Sequence, residues 1–379
     1  MALVLNEDQL MLKNSARKFL AQNNSIAALR KLRDEQNEQG YNPDTWSGMC
    51  ALGWAGITIP EEFGGIDFGH VGLGVVLEEM GRNLSVSPLQ SSVLVAASLI
   101  RLAGNQQQKA QLLPALAEGT QLFSLALQEG AHHAPEKTML AAVAEGNSFV
   151  LSGKKVMVLD VQIADQFVVV ARTSGKAGDC KGLTLFLVDG AAEGLARERV
   201  IMVDSRNSGN LLLDRVTVAA DAVVGDVDSA WDVLEKALDI ANIGLAAELL
   251  GIALEAFEKT LQYLKERTQF GSFIGSFQGL QHRASLMFVE LELCKSIVMS
   301  ALQRIDEDTD DLSALASAAK AKACEVAELV TNEAIQMHGG IGMTDECDIG
   351  FYIKRARVAQ QTFGGRSYHM HRFASLNNY

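Results

Sequence analysis

A chain of 379 residues, 48% hydrophobic and 21% charged, carries enough apolar material for a large core and fits two or three structural units. Its 33 Lys and Arg against 46 Asp and Glu leave a net charge of −13, a balance that disfavours a nucleic-acid or anionic-membrane surface. Cys50, Cys180, Cys294, Cys324 and Cys347 are widely spaced and never form C-x-x-C, which speaks against a disulfide framework or structural zinc. Free thiols, mostly buried, in a reducing compartment are expected, with the cytoplasm as the default location.

In chain order, MALVLNEDQL lacks a basic leader region, so no signal peptide is expected, and no charge-free apolar run reaches the length of a membrane span. Asn6 before Glu7 and Asp8 marks a helix start, and Glu7 to Ala117 reads as helices, among them Val71–Gly81 and Val93–Gly104, around a Pro/Gly-punctuated loop at Ile57–Gly69. From about Gln121 the texture changes to β-rich runs, LFSLAL, SFVLSGKKVMVL, QFVVVART, LTLFLVD and NLLLDRVTV, separated by turn residues. They predict an antiparallel sheet or barrel, and the lack of interleaved helices excludes a Rossmann unit. From Trp231 the pattern is helical again. Trp231–Arg267 is long, with Ile240–Ala253 apolar on almost every face, and helices near Phe277–Arg304 and Leu312–His338 follow, joined by an acidic run from Asp306 to Asp311 read as a solvated loop with a helix N-cap. The fold class is α+β: a helical domain (1–120), a central β domain (121–225) and a C-terminal four-helix bundle (226–379).

Residue chemistry alone offers little beyond this. There is no phosphate-binding G-x-x-x-x-G-K-[ST], and Gly339–Gly342 follows a long helix, where glycine serves as a C-cap. His132-His133 and His369/His371 lack the carboxylates of a metal set, so no metal is expected.

Several segments nevertheless resemble one family. PEEFGG (Pro60–Gly65), EEMGR (Glu78–Arg82), YLKERTQFGSFIGSFQGLQH (Tyr263–His282) and IQMHGGIGMTDE (Ile335–Glu346) are similar to motifs of the acyl-CoA dehydrogenases, including R-x-x-F-G with F-Q-x-x-Q, and Q-x-x-G-G-x-G. The resemblance implies FAD as cofactor. Arg267 would hold its pyrophosphate, Phe270 and Gln278 would line the same site, and Gln336 with the backbone of Gly339 and Gly340 would meet the adenosine. It also implies an acyl-CoA substrate whose α-proton goes to a carboxylate while the β-hydrogen leaves as hydride, with electrons passed to an electron-transfer flavoprotein.

The catalytic half departs from that pattern. The family's Y-E-G-T-S is matched by TFGGRSY (Thr362–Tyr368), placing Gly364 at the carboxylate. The alternative base position falls on Ala241, and the substrate-contacting arginine on Asn242. The flavin-packing W-I-[ST] appears as Met157-Val158-Leu159, and of the family's L-T-E-P-G-A-G-S-D loop LQEGAHHAP (Leu127–Pro135) keeps Glu129 but little else. No catalytic residue is assigned. The expectation is a subunit that completes the FAD site of a catalytic partner in a heterotetramer, or else a homo-oligomer; parts of the chain also resemble bacterial dehydrogenases of steroid side-chain degradation. Three other readings stay open: a self-sufficient dehydrogenase with Glu248 as a displaced base, a flavin monooxygenase of related fold using His132, His133 or His338, and a scaffold that makes no flavin contact.

Overall fold

The computed structural model describes residues 3–307, 309 and 311–379. Asn6 caps α1 (Glu7–Asn23) as its sequence implies: its Oδ1 accepts from the Gln9 amide at 2.8 Å, and Gln9 Oε1 accepts from the Asn6 amide at 3.0 Å. Helices α2 (Ile26–Asp34), α3 (Pro43–Ala51) and α4 (His70–Asn83) follow, the loop before α4 holding one 3₁₀ turn at Glu61–Phe63. The helix predicted at Val93–Gly104 is a π-helical stretch, Leu89–Ala96, running into α5 (Ala97–Ala103). Its widened turns carry Ser92 Oγ to hydrogen bonds with both backbone groups of Phe123. Helix α6 (Gln106–Glu118) ends at Gly119.

The strands are β1 (Phe123–Ala126), β2 (Ala141–Glu145), β3 (Ser148–Leu159), β4 (Gln166–Arg172), β5 (Leu183–Asp189), β6 (Leu195–Ile201), β7 (Asn207–Ala219) and β8 (Val223–Val224). Then come α7 (Trp231–Glu266), the hairpin β9 (Thr268–Gln269) and β10 (Ser272–Phe273), α8 (Gln278–Glu307), α9 (Leu312–His338), α10 (Ile349–Gln361) and α11 (Arg366–Leu376). By proximity the chain divides into two compact units. One holds the chain up to Lys31, His70–Ser85 and Asn242–Tyr379; the other holds Leu32–Gly69 and Val86–Ala241.

The second unit contains an eight-stranded sheet in the order β6-β7-β3-β2-β4-β5-β8, with β1 beside β4. The expected antiparallel sheet is mixed: β1 runs parallel to β4, and β2 meets β4 in parallel at Ala141 and Arg172. The chain leaves β1 on a long excursion through β2 and β3 before β4, the crossover that parallel neighbours need. Strands β2 (AAVAE) and β6 (LARERVI) escape sequence patterning because alanine and charge replace β-branched alternation; pairing with β3 and β7 makes them strands. The sheet's core includes Leu151, Phe167, Val169, Phe186 and Val216, all fully buried.

In the first unit α9 packs against α8, α10 and α11, and α1 and α8 pack on α4. Every residue of α7 from Ala237 to Leu254 is buried. That helix has the length and hydropathy of a membrane span, but its most apolar window lies wholly inside the protein. It passes α4 at a glycine pair. A Cβ on Gly81 would run into the Glu248 carbonyl, and one on Gly251 into the Glu78 carbonyl and, at 3.1 Å, the Arg82 amide. The acidic run is not simply solvated. Asp306 accepts hydrogen bonds from the His70 amide (2.8 Å) and the Val71 amide (3.3 Å) and sits 2.8 Å from His70 Nδ1, capping α4 from the end of α8. Burial pushes its carboxyl up, yet the bonds from His70 outweigh this and hold it below the ordinary value. Asp308 and Asp310 of that run lie outside the described residues. All five cysteines are free; Cys294 and Cys324 are buried, whereas Cys180 is exposed.

The glycine crossing gives a direct test. Gly251→Val should push α7 off α4 and cost about 1–3 kcal/mol or more, read as a lower urea midpoint with an unchanged m-value.

Candidate functional site

Within the first unit the two motif segments converge. The Tyr263 ring, one turn before the end of α7, stacks on His338 at the end of α9 with centroids 4.4 Å apart, and its hydroxyl donates to the His338 carbonyl at 3.3 Å. Arg283 of α8 pairs with Glu333 of α9 at 2.5 Å, so α8 joins the same region. Arg267 follows α7, and its carbonyl accepts from the Ile274 amide at 2.9 Å, closing the β9–β10 hairpin. Phe270 stands at the hairpin tip, 92% exposed, in a left-handed conformation (φ +54°) that bulky residues rarely adopt. Gln278 opens α8, and Phe270 meets Phe277 edge to face at 6.2 Å.

Gln336, Gly339 and Gly340 are exposed at the end of α9. Gly339 is first a helix C-cap, at φ +67° with its amide donating to the Gln336 and Ile335 carbonyls. Above both glycines nothing lies within 4 Å of a built Cβ, so the backbone there is open. The side chains of Arg267, Gln278 and Gln336 are not engaged by any described residue. Burial lowers the pKa of His338, while a 2.7 Å contact from its Nδ1 to the Ala334 carbonyl opposes the shift.

A second arrangement lies at the turn after α10, where sequence matching places the absent carboxylate. Phe363 (φ +55°) and Gly364 (φ +102°) both take positive φ. Beneath them Lys320 of α9, fully buried, donates to the Thr362 carbonyl (2.6 Å), the Gly364 carbonyl (3.2 Å) and Asn242 Oδ1 (3.2 Å). Three acceptors match the three protons of an ammonium. Burial still brings its pKa down to about 8. Ala241 is buried and adds no acid. Glu248 is not poised as a base: Arg355 Nε and Nη2 donate to its two oxygens at 2.8 and 2.7 Å, and both residues are buried.

In the second unit Glu129 braces its loop. It accepts from the Met139 and Leu140 amides at 2.7 and 3.0 Å and lies 2.6 Å from Lys155 Nζ. Lys155 is fully buried; burial brings its pKa down to about 8 although Glu129 opposes the shift. Met157-Val158-Leu159 straddles an irregularity in the β3–β7 pairing, with Met157 at φ +54° and 44% exposed. It presents neither an aromatic ring nor a hydroxyl. His132 is exposed, and no group of His, Cys, Asp and Glu that could hold a metal occurs among the described residues.

Sequence reading missed Lys320, Lys155 and Tyr263. The lysines sit in alternating or helical patterns where a charge reads as surface, and only burial distinguishes them. Tyr263 lies inside the motif segment but matches no motif position.

Family models described as the acyl-CoA dehydrogenase N-terminal, middle and C-terminal domains match residues 6–120, 127–216 and 229–374. With most of its length accounted for in that order, the chain belongs to the acyl-CoA dehydrogenase family, FAD-dependent oxidoreductases acting on CH–CH groups. Among its relatives, the mitochondrial short/branched chain specific acyl-CoA dehydrogenase of Bos taurus is 28% identical, with 93% of this chain and 81% of that protein aligned. The 3-(aryl)acrylate reductase of Clostridium sporogenes is 29% identical, with 93% of each aligned. Among solved structures, a variant of the Tcur3481–Tcur3483 steroid acyl-CoA dehydrogenase matches with a TM-score of 0.88 at 31% identity over 98% of both chains. Butyryl-CoA dehydrogenase of Megasphaera elsdenii shares the fold, with a TM-score of 0.92 at 24% identity over the whole of both chains.

The donors present fit one half of FAD. An unspent guanidinium, two amides and an open glycine backbone suit the pyrophosphate and adenosine. Met157-Val158-Leu159 lacks the groups expected beside the flavin ring.

Two outcomes follow from the buried charges. The folded Lys320 amine loses its proton near pH 8 but the unfolded one near 10.5, so between these values the unfolded state binds more protons and stability rises with pH. Urea unfolding of wild type referenced to Lys320→Met, which cancels other titrations, should show that rise across the window. Arg355→Leu, which removes the bidentate donor to the buried Glu248, should cost about 3–5 kcal/mol, and adding Glu248→Leu should recover most of it.

Proposed function

We propose that this chain is a subunit of a heteromeric acyl-CoA dehydrogenase that lends Arg267, Phe270, Gln278, Gln336, Gly339 and Gly340 to the ADP half of FAD held with a catalytic partner. The observation that carries this reading is the division in donor chemistry: the residues suited to ADP stand exposed and unspent, while the positions matched to a base are Gly364 and Ala241 and the nearby Glu248 is consumed by Arg355.

The exposed face around the motif residues supports a partner. Phe270 and Phe273 on the hairpin, and Leu286, Val289 and Leu293 on α8, are large apolar side chains left in water. The three on α8 recur at helical spacing and form a stripe suited to another chain. Two solved neighbours carry paired names, the Tcur3481–Tcur3483 steroid acyl-CoA dehydrogenase and the ChsE4–ChsE5 complex of Mycobacterium tuberculosis, the latter at 22% identity a likeness of fold alone. With the first as guide, the partner's substrate is a steroid side-chain acyl-CoA thioester and the electrons pass to an electron-transfer flavoprotein.

In this reading the chain's own residues bind and orient. Arg267 places a planar cation against phosphate oxygens, and Gln278 and Gln336 supply amide donors and acceptors. The cofactor, when bound, supplies the acceptor for the β-hydride; the proton acceptor belongs to the partner.

The chain should be purified alone and co-expressed with a homologue that keeps a catalytic glutamate. FAD should be retained stoichiometrically only by the complex, and Arg267→Ala in this chain should lower its flavin content at least tenfold at limiting FAD, the loss of one charge-assisted phosphate contact. Stoichiometric FAD and acyl-CoA dehydrogenation by the lone chain would overturn the reading.

A further inference from the structure

We propose that Tyr368 closes the place on the turn after α10 where a catalytic carboxylate would stand, so that a side chain at position 364 and the Tyr368 ring exclude one another. This deepens the reading of the chain as a subunit without its own base and rests on it.

The geometry is specific. Gly364 is buried at φ +102°, and a Cβ built on it lies 2.5 Å from Tyr368 Cδ1, 3.1 Å from Tyr368 Cε1 and 3.0 Å from His369 Nε2. Carbon atoms in contact stand 3.5–4.0 Å apart, so even alanine requires movement. The ring is held on the first turn of α11 and lies edge-on to His369, centroids 5.1 Å apart at 86°. His369 is itself buried, with Nε2 3.1 Å from the Phe363 carbonyl.

Nor can the turn retreat. Lys320 donates to the Thr362 and Gly364 carbonyls, and a turn that moved away would cost its buried amine those bonds. Phe363, at φ +55°, is held in a conformation that persists only where surroundings impose it. The turn is therefore held by an ammonium at its carbonyls and by an aromatic ring at position 364. Gly364 is one half of a built contact, and what the turn presents is a half-buried phenol ring in place of an acid.

A double-mutant cycle on the full-length chain tests this. Gly364→Ala should lower the thermal midpoint by several degrees through the ring contact and the positive φ together. In a Tyr368→Ala background the ring contact is gone, and the same substitution should lower the midpoint by no more than half as much. Equal losses in both backgrounds would overturn the proposal. If Gly364→Ala fails to fold, recovery of folded protein by adding Tyr368→Ala supports the proposal, and failure of the double variant as well overturns it. Wild-type chain alone, incubated with excess FAD, should show no flavin bleaching with butyryl-CoA, octanoyl-CoA or a steroid side-chain acyl-CoA thioester. Bleaching there defeats the reading of a subunit without a base, whereas additive losses with an inactive wild type defeat the Tyr368 contact alone.

Discussion

The ion pair between Glu248 and Arg355 is the constraint on which the helical unit depends. Helix α7 is buried on all sides through its middle, so a carboxylate there is tenable only with both oxygens matched, and the Arg355 fork matches them at 2.8 and 2.7 Å. The pair fixes α10 against α7 in rotation as well as distance, because a bidentate guanidinium tolerates little slip. The end of α10, and with it the turn from Thr362 to Gly364, is delivered to one place. There Lys320 donates to the carbonyls of the turn that follows α10, together with Asn242 of α7. Three helices thus meet through three buried charged side chains, and the backbone at Gly364 is a consequence of where those charges had to go.

That dependence bears on the chemistry. A loop that carries a general base needs a side chain aimed outward and a backbone free to hold it. Here the backbone is spent as acceptor for Lys320, the residue is glycine at positive φ, and Glu248 is locked in its pair. The opposite end of the same helices is built the other way. Around Gly339 and Gly340 the backbone is open and the polar side chains stand in water. One end is sealed by the fold, and the other is left for something outside the chain.

Much of the fold was legible from sequence. The capping residue Asn6, the fully apolar run in α7 and the strands β3 and β5 are local signals, and each element stands where its pattern placed it. The parallel pairing of β1 with β4 was not legible, since strand direction is set by the connection and not by side-chain alternation. Among candidate site residues, Arg267, Phe270 and Gln278 stood out through the resemblance of their segment to family motifs, but the buried Lys320 and Lys155 did not. A lysine in a sequence reads as surface, and only three-dimensional burial shows the charge to be structural. Asp306 was misread for the same reason in reverse: its partners His70 and Val71 lie 236 and 235 residues away, so nothing local marks it as a cap.

Burial also separates two kinds of polar residue that sequence treats alike. Glu248 and Arg355 are accounted for by folding, since removing either takes from the other, in a low dielectric, its bidentate partner, and Lys320 is accounted for by its three acceptors. Arg267 and Phe270 have no such account. Arg267 is solvated and unpaired among the described residues, so folding gains almost nothing from it. Phe270 is worse than neutral, because it holds a large apolar ring in water at a φ that glycine or asparagine would adopt at lower cost. A hairpin selected only for stability would carry Asn-Gly at its tip; this one carries Phe270-Gly271 beside an unspent guanidinium. The strain and the exposure would both be relieved if a cofactor and a second chain covered the tip, as the proposed subunit role requires.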